Sequence, residues 1–275
     1  MEPRQTFASR RIAVNGITLN VVVEGEGPDV MLVHGFPDSH QVWRKQIPAL
    51  VAAGYRVIAP DLRGFGDSDV PAEVSAYAVP RFAADLKGVL DALGIEKVRL
   101  VGHDWGAVSG WALVISHPER VDRYVAMSVG HPEAYPRGGL AQKLKGWYVL
   151  FMQLRGISEF IIKAGDWWFF RVITGFHNEF PLWKEEMSRP GRLTAALNIY
   201  RANLGLIFPR KYPRVKVPVL GVWSSGDIAL AKKQMVISGE YVDAPWRYEE
   251  IEGASHWLQL DAPDKVNALL LDYLR

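Results

Sequence analysis

Val98-Arg99-Leu100-Val101-Gly102-His103-Asp104-Trp105-Gly106 is the stretch that decides the fold. A short apolar run meets two glycines that bracket Asp104, and Ala107 to Ile115 then reads as a helix. Strand, tight turn and helix in that order make an elbow that lifts its central side chain clear of the backbone. The glycines have a steric reason, since so sharp a turn brings neighbouring backbone too close for side chains. The central residue is an aspartate. With an ordinary pKa near 3.9 it is already anionic at neutral pH and can attack without first giving a proton to a base. A carboxylate nucleophile suits displacement at an sp³ carbon and leaves an ester on the protein. The same residues also fit a plain capped turn, with Asp104 at a helix N-terminus.

Outward from the elbow the chain alternates short apolar runs with helical spacing. Ile17 to Glu24 alternates like a strand, and Val30 to Val33, Arg56 to Ala59 and Tyr124 to Met127 read as further strands. Ser39 to Ala53 and Tyr77 to Leu93 have helical spacing, and each is followed by a glycine. Strands separated by helices of about 10–15 residues predict an α/β fold, with a mostly parallel sheet flanked by helices. The pattern breaks after Gly130. It resumes at Val217 to Trp223, then a strand over Trp246 to Ile251 and a closing helix over Pro263 to Leu274. Residues 131–212 therefore read as a helical cap inserted in a core made of 1–130 and 213–275. The crevice between them, beyond the carboxyl ends of the strands, is the expected site.

Composition supports the division. The chain has 275 residues, a net charge of +2 and no cysteine, which removes disulfides, thiolate metal sites and a cysteine nucleophile. Between His131 and Tyr212 there are 12 Lys+Arg against 6 Asp+Glu, so a +6 cap sits on a −4 remainder. That charge admits an anionic substrate, a contact made through the cap, or a plain solvated surface. Net charge this small gives no argument for a nucleic-acid partner. Met1 to Arg11 is polar, and no run approaches the roughly 20 apolar residues of a membrane span, so a cytoplasmic protein without a membrane partner is expected.

Gly102-His103-Asp104-Trp105-Gly106, with His34-Gly35-Phe36-Pro37 and Gly253-Ala254-Ser255-His256, resembles the epoxide hydrolases of the α/β-hydrolase superfamily. The resemblance covers nearly the whole chain and implies an α/β-hydrolase fold. It extends to Asp61-Leu62-Arg63-Gly64-Phe65-Gly66-Asp67-Ser68, read as structural. It implies Asp104 as nucleophile and an apolar epoxide and water as substrates, with no cofactor and no metal. A monomer or homodimer is expected.

Of the seven histidines, His256 lies in a loop after the last predicted strand, where a base acting on an Asp104 ester belongs. A histidine base needs an acid to fix its tautomer. Asp227, ending Trp223-Ser224-Ser225-Gly226-Asp227, holds the family's usual place; Asp243 and Glu133 compete for it. The backbone N–H groups of Phe36 and Trp105 are the expected oxyanion hole. Tyr200 in Asn198-Ile199-Tyr200-Arg201-Ala202-Asn203, and Tyr148 in Trp147-Tyr148-Val149-Leu150-Phe151, match the family's cap tyrosines, which hold the epoxide oxygen. Phe36, Trp105, Phe151, Met152 and Trp183 are the expected pocket wall. His34 and His103 are read as packing and hydrogen-bonding residues. Two rivals share the framework. A haloalkane dehalogenase would use the same aspartate, but has no use for two phenols and needs halide donors where Phe36 stands. A hydrophobic-ligand receptor would have no need of the complete set of groups.

Overall fold

The structure, a computed structural model, describes residues 4–275. The first residues of the polar N-terminal segment, 1–3, lie outside the described residues. Eight strands form one sheet: β1 (Ser9–Val14), β2 (Ile17–Glu24), β3 (Asp29–Val33), β4 (Arg56–Pro60), β5 (Val98–His103), β6 (Val121–Met127), β7 (Val219–Ser224) and β8 (Trp246–Ile251). Their order is β1-β2-β4-β3-β5-β6-β7-β8. The two pairings of β2, with β1 and with β4, are antiparallel, and the rest of the sheet is parallel. The central runs are buried on both faces, which is why they read as continuous rather than alternating apolar stretches.

The sheet starts one strand earlier than the sequence reading expects. β1 pairs with β2 through Asn15-Gly16, both with positive φ (46° and 79°), the turn chemistry of a tight hairpin. The expected helix over Ser39 to Ala53 is a 3₁₀ turn at His40–Trp43 followed by α1 (Gln46–Ala52). The core helices that follow are α2 (Val79–Ala92) and α3 (Trp105–Ser116).

Between β6 and β7 every element is helical: α4 (Gly139–Lys145), α5 (Trp147–Phe151), α6 (Ile157–Ile173), α7 (Phe180–Ser188) and α8 (Arg192–Ala202), with short 3₁₀ turns. Helix α6 is broken inside, where Gly165, Asp166 and Trp167 take positive φ. α9 (Lys232–Val236), α10 (Leu258–Asp261) and α11 (Pro263–Tyr273) complete the chain.

The inserted helices are tied to the sheet by specific bonds. Asn203 accepts from the Val79 N–H at 2.9 Å, capping α2, and donates to the Tyr77 carbonyl at 2.8 Å. Arg192 of α8 donates to the carbonyls of Phe65 and Ser68 at 3.1 and 2.7 Å. Within the stretch read as structural, Arg63 grips Asp85 in a buried two-point pair at 2.6 and 2.7 Å. Such bidentate geometry fixes both side chains.

Candidate active site

β3 lies between β4 and β5: the chain leaves β3 for β4 on one side and crosses back from β4 to β5 on the other, so a crevice opens at the carboxyl ends of β3 and β5. Val33 pairs with Gly102, which sets the loops after the two strands side by side. One loop carries Phe36 and the other Asp104.

Asp104 has φ 53° and ψ −122°, a strained backbone for a residue with a side chain. The glycines around it make the strain affordable. A Cβ on Gly106 would lie 2.1 Å from the Val33 carbonyl oxygen, and one on Gly35 would lie 2.3 Å from Asp104 Oδ1. The Phe36 N–H donates to Asp104 Oδ1 at 2.7 Å. Trp105, first residue of α3, has an N–H with no carbonyl one turn back to take it. Asp104 thus stands at a helix N-terminus, facing backbone donors, as an oxyanion needs. The alternative of a capping aspartate does not describe it, since its side chain makes no cap bond to α3.

His256 follows β8 and presents Nε2 to Asp104 Oδ2 at 3.4 Å. Its Nδ1 donates to Asp227 Oδ2 at 2.9 Å. Asp227, after β7, is fixed in turn by the N–H groups of Ala229 and Leu230, both 2.8 Å from Oδ1. The competing acids point elsewhere: Glu133 accepts from the Tyr212 N–H at 2.9 Å, and Asp243 pairs with Arg214 at 2.8 Å. The His256 carbonyl accepts from His103 Nε2 at 2.8 Å and from Ser128 Oγ at 3.2 Å, so the loop is held from behind. His34 braces the other side, its Nε2 accepting from the Leu62 N–H at 2.9 Å.

Burial alone would lower the His256 pKa. The Asp227 charge opposes it, helped by hydrogen bonds to Asp104 and Asp227, and the imidazole is pushed up to about 10. Burial alone would raise Asp104, but the His256 bond and charge and the Phe36 N–H bring it below its ordinary value. The resting site therefore holds a histidine cation between two carboxylates. Burial pushes His103 down to about 3, so it stays neutral.

Tyr200 on α8 and Tyr148 on α5 face one another with ring centroids 5.8 Å apart. The Tyr200 ring packs edge-on against Trp105 at 5.1 Å and Phe36 at 5.6 Å. Burial, and then the negative charge of Asp104, push Tyr200 well above its ordinary pKa; burial, and then Tyr200, do so for Tyr148. Both remain neutral phenols with a proton to donate. Arg201 ties the two helices together, donating to the Met152 carbonyl at 2.9 Å and to Glu159 at 2.7 and 2.9 Å.

Two cavities meet at this cluster. One is lined by apolar residues including Val108, Trp111, Leu206 and Leu230. The other reaches Phe36, Met152, Ile173 and His256. Asp104, Tyr148 and Tyr200 line both. Of the expected wall residues, Trp105 lies in the first cavity and Phe36 and Met152 in the second. Phe151 and Trp183 line neither. Phe151 packs on Phe169 at 4.9 Å, and Trp183 donates its indole N–H to Asp38 at 2.7 Å.

Asp38 escaped the sequence reading. It is buried, it also accepts from the Trp257 indole at 3.0 Å, and burial pushes its carboxyl up to about 8. The signal for it was its place directly after Phe36-Pro37. Among the described residues no group of three or more His, Asp or Glu is placed to hold a metal ion. No described helix is long and apolar enough to cross a membrane.

Residues 28–263 match the alpha/beta hydrolase fold family. The chain is similar to epoxide hydrolase 3 of Xenopus tropicalis, 36% identical over 96% of this chain and 77% of that one. It is 34% identical to the AB hydrolase superfamily protein YfhM of Bacillus subtilis over 96% of each. The solved epoxide hydrolase A of Mycobacterium thermoresistibile superposes with a TM-score of 0.82 at 30% identity, covering 98% of both chains. With this sheet, this elbow and these relatives, the chain belongs to the alpha/beta hydrolase fold family.

Proposed function

We propose that the chain is an epoxide hydrolase that turns an apolar epoxide and water into a vicinal diol through an ester on Asp104. A core of 1–130 and 213–275 carries the triad, and a cap of 131–212 carries the phenols. The observation that supports this most directly is the meeting of Asp104, Tyr148 and Tyr200 where both cavities join. A carboxylate lies on one side of the space and two neutral O–H donors on the other, which is what opening a strained C–O bond from the rear requires.

Asp104 Oδ2 attacks a ring carbon as the C–O bond breaks, and the alkoxide takes a proton from one of the two phenols. Ester formation removes the charge of Asp104. His256 then keeps only Asp227 as a counter-charge, so its pKa falls and its proton can leave to restore the phenolate. Neutral His256 draws a proton from water as that water attacks the ester carbonyl. The Phe36 and Trp105 N–H groups hold the resulting oxyanion. Its collapse expels the second oxygen of the product as an alkoxide, which takes the proton of the newly formed acid, so the diol leaves with Asp104 again a carboxylate and His256 again a cation.

Repeated turnover in ¹⁸O-water tests the ester, since each ester hydrolysis places one solvent oxygen in the Asp104 carboxyl. Label accumulating in the Asp104 peptide is expected; label only in the product would sink the mechanism. Tyr148→Phe with Tyr200→Phe is expected to abolish ring opening while circular dichroism stays unchanged. A cytoplasmic location and a monomeric or homodimeric state belong to the same proposal; fractionation and sedimentation velocity test them.

A further inference from the structure

The large exposed apolar side chains are concentrated on the inserted helices. Leu140, Leu144, Trp147, Leu150, Leu154, Ile157, Phe160 and Trp168 follow one another from α4 through α6, with Phe160 at 74% and Leu144 at 65% exposure. Ring contacts run through the middle of the segment, Trp147 to Phe151 at 6.3 Å within α5 and Trp147 to Phe169 at 6.1 Å from α5 to α6. Single exposed apolar residues need no explanation, but a run of this kind on one segment marks a contact surface.

The charges on the same segment select what that surface touches. Lys143, Arg155 and Lys163 are exposed and have no ion pair among the described residues. The acids beside them are already neutralised, Glu159 by Arg201 and Asp166 by Lys184. A second copy of this face, brought up by a two-fold axis, would set these cations against each other. A surface that is apolar at its centre and carries unpaired cations matches the interface of an anionic bilayer, with apolar side chains below the headgroups and cations among them.

We infer that the α4–α6 face of the cap docks on an anionic phospholipid surface. The docking stands on the exposed face; its link to the reaction rests on the function proposed above. Helix α5 shows that link, since Trp147 and Leu150 point outward while Tyr148, between them, lines the cavities over Asp104. An apolar epoxide dissolved in the bilayer would then have a short path to the phenols. A sequence without a long apolar run predicts no membrane partner, but a peripheral contact needs no span.

Flotation of the purified full chain with vesicles tests this, using phosphatidylcholine alone and phosphatidylcholine with phosphatidylglycerol. Binding to the phosphatidylglycerol vesicles, weakened by salt, is expected. Lys143→Gln with Lys163→Gln should lower the partition coefficient ~30-fold, at about one kcal/mol per cation. Leu144→Glu with Phe160→Glu should abolish flotation while hydrolysis of a water-soluble epoxide stays at the wild-type rate. Flotation is read without turnover, so its failure and that of the enzymatic reading are separate results. No binding to phosphatidylglycerol vesicles overturns the inference, as does binding that neither variant changes. So does a dimer that the Leu144/Phe160 variant converts to monomer in the absence of vesicle binding.

Discussion

His256 is the residue where geometry and electrostatics make the sharpest demand. Held at about 10 between Asp227 and Asp104, it is a cation in the resting site and a poor base. In the proposed reaction it becomes a base only when the ester cancels the charge of Asp104. Single-turnover kinetics should therefore split in pH. Ring opening should be flat through neutrality, because Asp104 is ionised throughout. Ester hydrolysis should rise with pH and level off well below the resting value, since the Asp104 contribution is gone. Equal pH dependence of both steps would contradict this sequence of events. His256→Gln should still form the ester and fail to release it, lowering kcat by about 10²–10⁴, the usual weight of a general base. Intact mass spectrometry would find the protein heavier by one epoxide; an unmodified protein would count against the assignment.

Among the elements, what the sequence discloses depends on how local the signal is. The buried strands and the elbow are legible because a continuous apolar run and a pair of glycines are each written within a few residues. Ile17–Glu24 and Trp246–Ile251 match their strands end to end. β1 is equally local, but Arg10 and Arg11 make this edge strand look like a polar tail, although Asn15-Gly16 marks the hairpin. The inserted helices are different. Their aromatic side chains lie on buried and exposed faces alike, as Trp167 and Phe170 beside Phe160 and Trp168 show, so periodicity cannot say which face meets the site, and Phe151 and Trp183 line neither cavity there. Arg201 is the element-scale device that composition could not disclose. It joins α8 to the segment after α5 and so sets the distance between the phenols. Arg201→Met strands the half-buried Glu159, and should cost about 3 kcal/mol in urea unfolding. Adding Glu159→Met should restore most of that stability. The double variant should still turn over about 100-fold more slowly, because the phenols lose their alignment. Full recovery of kcat with stability would show that Arg201 only holds the fold.

For the whole molecule, the contact that joins inserted helices to sheet near the triad is Asp38 with two tryptophans. Trp183 of α7 lies 145 residues away in sequence and Trp257 lies 219 away, so nothing local announces the cluster. The two indoles pack with centroids 4.4 Å apart, and Trp257 directly follows His256. Asp38 is therefore a buried clamp between α7 and the loop that carries His256. Burial favours its neutral form, which raises its pKa from 3.8 to about 8. In the folded protein it keeps a proton that the unfolded chain gives up near its ordinary value. The stabilisation from that proton is complete below the unfolded pKa and drains away as pH rises toward the folded one. Across this window wild-type stability should fall by about 1.4 kcal/mol per pH unit more than that of Asp38→Asn, which cannot titrate. Urea unfolding at several pH values between about 5 and 8 measures the two slopes. Parallel lines would mean that Asp38 is ionised in the fold and that the two indole donors outweigh its burial. A steeper wild-type line would make the clamp a proton-dependent one, tightest at mildly acidic pH and loosest where His256 itself begins to lose its charge.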